Sequence, residues 1–124
     1  MEAYLIATAC TNFEKKADQT FKSLTEEVYC DLLKSAKVEN GNMIGQAWFG
    51  NCGMGTFGQN NIRGQVCFTP LVQKKLFPER VGIINVEGGC ATGSMAFHGA
   101  WKDVISGTED VSLAIGVEKI YQPN

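Results

Sequence analysis

Residues Val81-Gly82-Ile83-Ile84-Asn85-Val86 form a short apolar run, followed at once by Glu87-Gly88-Gly89 and then by a helix-like stretch from Cys90 to Ile105. This order constrains the fold more than any other feature of the chain. A run this apolar reads as a strand covered on both faces, which is the habit of parallel sheets. Gly88 and Gly89 permit a sharp turn. The stretch after them is long enough for a helix of about 24 Å. Gly107 supplies a stop, and Val111 to Val117 reads as a further apolar strand.

The upstream half repeats the alternation. Ala3-Tyr4-Leu5-Ile6-Ala7 is an apolar run ending at Thr11-Asn12, as a buried strand ends. Ser23-Leu24-Thr25-Glu26 matches a capping box. After it Leu24, Val28, Leu32 and Ala36 recur every four residues beside Leu33, which makes one apolar stripe on a helix. Lys34 and Lys37 suit the negative end of that helix, and Asn40-Gly41 suits its stop. Met43 to Phe49 reads as a strand. Gly50 to Gly64, with five glycines and Asn51, Asn60 and Asn61, reads as a loop, and a short helical turn is expected at Pro70 to Lys75 with proline in its first turn. The expected fold is α/β, a mostly parallel sheet covered by helices, in a single domain over residues 1–124.

Composition excludes several classes. Hydrophobic residues make up 44% of the 124 and charged residues 19%, which argues against disorder. No apolar run approaches the roughly 20 residues of a membrane span. A net charge of −2 argues against electrostatic binding of nucleic acid or of acidic membranes. Met1-Glu2-Ala3 lacks a basic leader, and Ala3 to Ala9 is too short for a signal-peptide core, so a soluble, cytoplasmic protein is expected. The C-terminal Tyr121-Gln122-Pro123-Asn124 carries no peroxisomal Ser-Lys-Leu address. Cys10, Cys30, Cys52, Cys67 and Cys90 show no CxxC spacing, and with one histidine in the chain no metal site is expected. Free thiols are expected, most of them behaving as small buried hydrophobes.

The chemistry concentrates at Val86-Glu87-Gly88-Gly89-Cys90-Ala91-Thr92-Gly93-Ser94. A cysteine just after a strand, at the first turn of a helix, sits among unpaired backbone N–H groups. Those amides favour the thiolate and can hold the oxyanion formed when that sulfur attacks a thioester carbonyl. Gly93 allows close packing against the helix. Glu87 pulls the other way wherever its carboxylate turns toward the thiol. His98 lies eight residues on, roughly 12 Å along a helix axis, beyond hydrogen-bond reach of Cys90. Trp48, Phe49, Phe57 and Trp101 are read as core before acyl-pocket lining. The lysine doublets Lys15-Lys16 and Lys74-Lys75 are read as solvated surface before phosphate contacts. Arg63 is read as a brace for the Asn-rich loop or for subunit contacts.

Asn85-Val86-Glu87-Gly88-Gly89-Cys90-Ala91-Thr92-Gly93-Ser94-Met95-Ala96-Phe97 resembles the active-site cysteine segment of thiolases, and Cys-Ala-Thr-Gly-Ser looks most like the sterol-carrier-protein-X type. Thr11-Asn12-Phe13 resembles the family's Thr-x-Phe turn. Gly50-Asn51, then Gly58-Gln59-Asn60 and Arg63, resembles its Gly-Gln-Asn-x-x-Arg loop. Val111 to Lys119 resembles the strand after the catalytic helix, with its Gly-x-Glu-Lys ending.

The resemblance implies an N-terminal portion of a thiolase-like fold and an acyltransferase of lipid and fatty acid metabolism. Its substrates are coenzyme A thioesters, with no bound cofactor. Cys90 is then the acyl-accepting nucleophile, its own N–H an oxyanion donor, and Gly88, Gly89 and Gly93 shape the supporting turn. Residues 81–86 are expected to pair with their symmetry mate in a homodimer or tetramer. The family's activating His, its proton-moving second Cys and the Asn or His that holds its catalytic water belong to a C-terminal half. Cys10, Cys30, Cys52 and Cys67 match none of them. The chain therefore reads as part of an enzyme completed by a C-terminal thiolase half, and some relatives add a small OB-like partner subunit. The alternatives are a non-catalytic scaffold of the same fold, or another condensing enzyme such as a ketoacyl or hydroxymethylglutaryl synthase. The residues around the cysteine disfavour the latter.

Overall fold

The computed structural model describes residues 1–122; Pro123 and Asn124 of the C-terminal tetrapeptide lie outside the described residues. Six regular elements follow one another: α1 (Phe21–Ala36), β1 (Gln46–Gly50), α2 (Arg63–Gln73), β2 (Ile83–Val86), α3 (Thr92–Ile105) and β3 (Ser112–Gly116). The three strands form one parallel sheet in the order β2-β1-β3. Ala47 pairs with Ile83 on one side and with Leu113 on the other, and Gly50 pairs with Val86 and Gly116. The expected α/β class with a parallel sheet flanked by helices is what the chain adopts. Among the described residues, no helix is long and apolar enough to cross a membrane.

Alternation along β1 sends side chains to opposite layers. Phe49, fully buried, points to the α1/α2 side, where its ring meets Phe68 edge-on at 6.2 Å. Phe68 in turn packs edge-on against Phe77 at 4.6 Å and Tyr29 at 5.8 Å. Such offset ring pairs add to the burial of large apolar area. Tyr29 is wholly buried, and its hydroxyl donates to Leu76 O at 2.7 Å. Gly41 lies so close that a Cβ there would overlap that hydroxyl. On the other face Trp48 rests on Gly99 of α3, and its indole N–H donates to Asp103 Oδ2 at 2.7 Å.

Several local expectations give way. The strand expected at Ala3 to Ala7 is not among the three strands of the sheet. Ala3 to Ala9 instead line an apolar cavity of about 480 Å³ beside β3, α1 and α3, with Tyr4, Leu5 and Ile6 exposed. The capping box sits three residues earlier than expected. Thr20 accepts from Ser23 N–H at 3.1 Å, and Ser23 Oγ accepts from Thr20 N–H at 2.8 Å. Glu26 is thereby free to pair with Lys74 across the helix interface. The helix stops at Lys37 in the left-handed region (φ 58°), ahead of Asn40-Gly41.

The proline expectation also shifts. Pro70 lies inside α2, which starts at Arg63 and reaches Gln73. Its start carries no side-chain cap from Ile62, and the Gly64 N–H donates to Asn85 Oδ1 on β2 at 2.7 Å instead. The Gly50 to Gly64 loop contains a 3-10 turn at Met54–Phe57. β2 is an edge strand rather than one buried on both faces: Ile83 is half-buried and Ile84 is 39% exposed. The helix expected from Cys90 is preceded by a 3-10 turn, Gly89–Ala91, and its α-helical part begins at Thr92.

Candidate active site

The C-terminal ends of parallel strands are where open α/β sheets bind ligands. Here those ends carry Asn51-Cys52-Gly53 after β1, Glu87-Gly88-Gly89-Cys90 after β2, and Val117-Glu118 after β3. Asn51, only 2% exposed, ties two of these ends together. Its side-chain amide donates to Val117 O at 2.7 Å, and its Oδ1 accepts from Met54 N–H at 2.9 Å. Glu118 accepts from the N–H groups of Cys52 and Gly53. Arg63 braces the loop, as its sequence context suggests. Nη1 donates to Asn51 O at 3.0 Å and to Cys52 O at 3.3 Å, while Nε donates to Asn60 O at 3.1 Å.

The Cys90 turn is closed from within. Thr92, 7% exposed, donates its hydroxyl to Gly89 O at 2.7 Å and accepts from Gly88 N–H at 2.9 Å. Ala91 N–H donates to Gly88 O at 3.1 Å and Thr92 N–H to Gly89 O. Gly89 N–H donates to Glu87 Oε2 at 2.5 Å. Of the amides from Gly88 to Thr92, that of Cys90 alone has no partner among the described residues. Cys90 itself is exposed.

Gly89 has φ +59°, a left-handed conformation that a glycine adopts without strain. At Gly88 a Cβ would overlap Met95 Sδ. Gly50 performs a related task from β1, since a Cβ there would lie 3.0 Å from Thr92 Cγ2. Gly93 departs from expectation: a Cβ at that position meets nothing within 4 Å, so no close packing occurs there within the described residues.

The remaining candidates are dispersed. His98 is exposed and stacks on Trp101, with ring centroids 5.6 Å apart. Phe49 is core, Phe57 packs edge-on against Phe21, and Trp101, 44% exposed, lines the cavity beside β3. A second cavity of about 480 Å³ is lined by Gly53, Thr56, Phe57, Lys119, Ile120 and Gln122. Cys90 lines neither cavity. Lys15 sits over the Tyr121 ring and Lys16 pairs with Glu14. Lys74 follows the C-terminal end of α2, at the opposite end of the sheet from Cys90.

Cys67 is buried, and its burial raises the thiol's proton affinity, partly offset by a hydrogen bond with Thr25; Cys30 is raised by partial burial and then by Glu26. Cys52 shares the strand-end face with Cys90: its Sγ lies 3.9 Å from Glu87 Oε2. Sequence reading passed over Asn51, Thr92 and Glu118 as functional supports. Thr92 was visible within the Cys-Ala-Thr-Gly-Ser motif, whereas the other two act through partners 66 residues away.

Comparison with known proteins agrees with this arrangement. A family profile described as "Thiolase, N-terminal domain" matches residues 3–123. The chain is 32% identical over 117 residues to the benzoylsuccinyl-CoA thiolase subunit BbsB of Thauera aromatica, covering 94% of this chain and 28% of that one. It is 31% identical over 117 residues to the acetyl-CoA acetyltransferase of Methanocaldococcus jannaschii, with the same two coverages. The chain thus spans 28% of the length of the curated relatives it matches.

Proposed function

The chain belongs to the thiolase family through its N-terminal domain, and from that premise we propose that it supplies the nucleophile of a thiolase-type acyl transfer. Cys90 attacks the carbonyl of a coenzyme A thioester as its thiolate. The oxyanion that forms is held by the Cys90 N–H, the carbonyl re-forms, and the CoA thiolate leaves. The acyl group then rests on sulfur until free CoA, or the carbanion of acetyl-CoA, removes it. The observation that carries this reading is the amide accounting of the turn. Its other N–H groups are engaged by Thr92, Glu87 and neighbouring carbonyls, while the Cys90 amide points free beside an exposed thiol. A preorganised donor at a developing oxyanion is typically the largest single contribution to such catalysis.

Gly88 and Gly89 allow the turn, and Thr92 latches it. We place the general base and the proton-moving thiol outside residues 1–124, in a C-terminal thiolase half, and assign neither role to His98 or to Cys10, Cys30, Cys52 or Cys67. The free outer edge of β2 suits pairing with a second copy through residues 81–86, giving a homodimer or tetramer. A small OB-like subunit is a further partner of this type. No bound cofactor is invoked beyond the CoA thioesters.

The test is acetyl transfer. The protein complexed with its completing chain is incubated with acetyl-CoA, and the peptide holding Cys90 is analysed for an acetyl group. Acetylation is expected in the parent and absent in Cys90→Ser; unchanged acetylation in the variant refutes the assignment. A scaffold without chemistry draws on the absence of Cys90 from the lining of both cavities. It predicts a Cys90 that alkylates no faster than an ordinary exposed thiol.

A further inference from the structure

We propose that Cys52 is a resolving thiol for Cys90, so that a hydroperoxide converts the pair into a reversible disulfide at the strand ends. Both thiols are exposed, and they belong to loops leaving adjacent parallel strands. β1 and β2 are in register through Gly50 and Val86, and Asn51 N–H still donates to Val86 O at 3.3 Å. Cys52 follows Gly50 by two residues and Cys90 follows Val86 by four, so both loops leave the same end of the sheet side by side.

Glu87 links the two loops directly. One carboxylate oxygen, Oε2, lies 3.9 Å from Cys52 Sγ and accepts the Gly89 N–H at 2.5 Å, one residue before Cys90. The Cys52 loop is held by Glu118 and Arg63 and the Cys90 turn by Thr92 and Glu87, so the two thiols ride on braced loops that share the Glu87 carboxylate. The other thiols are worse placed: Cys67 is buried under α1, Cys30 lies on α1, and Cys10 belongs to the N-terminal segment.

The chemistry closes in two steps. The Cys90 thiolate attacks one oxygen of hydrogen peroxide, the O–O bond breaks, and the departing hydroxide takes up a proton to leave as water; Cys90 becomes a sulfenic acid. Cys52 then passes its proton through the neighbouring Glu87 carboxylate to the sulfenic oxygen and attacks the Cys90 sulfur. The S–O bond breaks, water leaves, and the S–S bond forms. In sum two thiols and one peroxide give one disulfide and two waters. The pairing does not require Cys90 to accept an acyl group, so it stands or falls apart from the proposed function.

Tryptic cleavage puts the two cysteines on separate peptides, 38–63 and 81–102. The 124-residue chain is treated with a molar excess of hydrogen peroxide at neutral pH, alkylated and digested. The expected result is the cross-linked pair of these peptides, lost on reduction with dithiothreitol. In Cys52→Ser and in Cys52→Ala the cross-link is lost, and Cys90 advances to the sulfinic acid. Sulfinic acid forming at Cys90 as fast in the parent as in both variants, with no 52–90 cross-link, overturns the proposal. A cross-link whose yield grows with protein concentration, and so joins two chains, overturns it as well.

Discussion

The aromatic core under α1 and α2 and the turn cluster at the strand ends are held together by opposite means. In the core Tyr29, Phe49, Phe68 and Phe77 are each at most 2% exposed and pack edge-on, so cohesion comes from buried area. At the strand ends Glu87, Gly88, Gly89 and Cys90 are all exposed, and shape comes from hydrogen bonds to Thr92, Asn51, Glu118 and Arg63. The difference separates stability from reactivity. Removing area from the core should weaken the whole fold, while removing a hydroxyl from the turn should disturb Cys90 and little else.

The largest expected effect is on the core side. Phe68→Ala deletes the ring common to three of these aromatic contacts and is expected to cost about 3–5 kcal/mol, read by urea unfolding. The alkylation rate of Cys90 in the folded fraction should not change; a matching loss of rate would dissolve the distinction. Gly64→Ala comes next, at about 1–3 kcal/mol, because its Cβ would lie 2.6 Å from Ile83 Cγ2, 2.7 Å from Phe49 Cβ and 2.9 Å from Asn85 Oδ1. Gly64 sits where core and turn layers meet, so both stability and Cys90 alkylation should suffer.

Thr92→Val keeps the shape and removes the hydroxyl that joins Gly88 N–H to Gly89 O. Its stability cost is expected to be about 1 kcal/mol, since water can reach the freed groups. Acyl transfer to Cys90 should fall by a larger factor than that loss of stability explains. Equal small losses in both measurements would make Thr92 a structural latch only.

The smallest effect concerns pH. Burial raises the folded Cys67 pKa above the ordinary 9.0, so the unfolded chain gives up that proton first as pH increases. The resulting stability is complete below about pH 9 and is lost as pH rises through the folded value. The midpoint temperature should decline on the alkaline side, and Cys67→Ala should flatten that decline without abolishing it, because buried Tyr29 and Cys30 act in the same direction.

Much of this was legible in the chain. The stripe from Leu24 to Ala36, the apolar runs at 43–49, 81–86 and 111–117, and the glycines before Cys90 each act over a few residues, and each marks an element or turn that formed. Two apolar runs teach the limit. Ile83 to Val86 became a strand and Ala3 to Ala7 did not, although both carry β-favouring side chains; the first pairs with β1 and the second lies along the cavity beside β3, a difference that local composition does not carry.

By itself, then, the sequence determined the alternation of strand and helix, the burial of Phe49 and the placing of a cysteine at a glycine turn, because these depend on periodicity and local backbone freedom. Tertiary structure alone decided that α2 starts at Arg63, through an Asn85 side chain 21 residues away from Gly64. It also decided that Asn51 and Glu118 lock the site, and that Cys52 shares a carboxylate with the Cys90 turn. The physical reason is range: a hydrogen bond or a strand pairing between distant segments satisfies polar groups that no local pattern encodes.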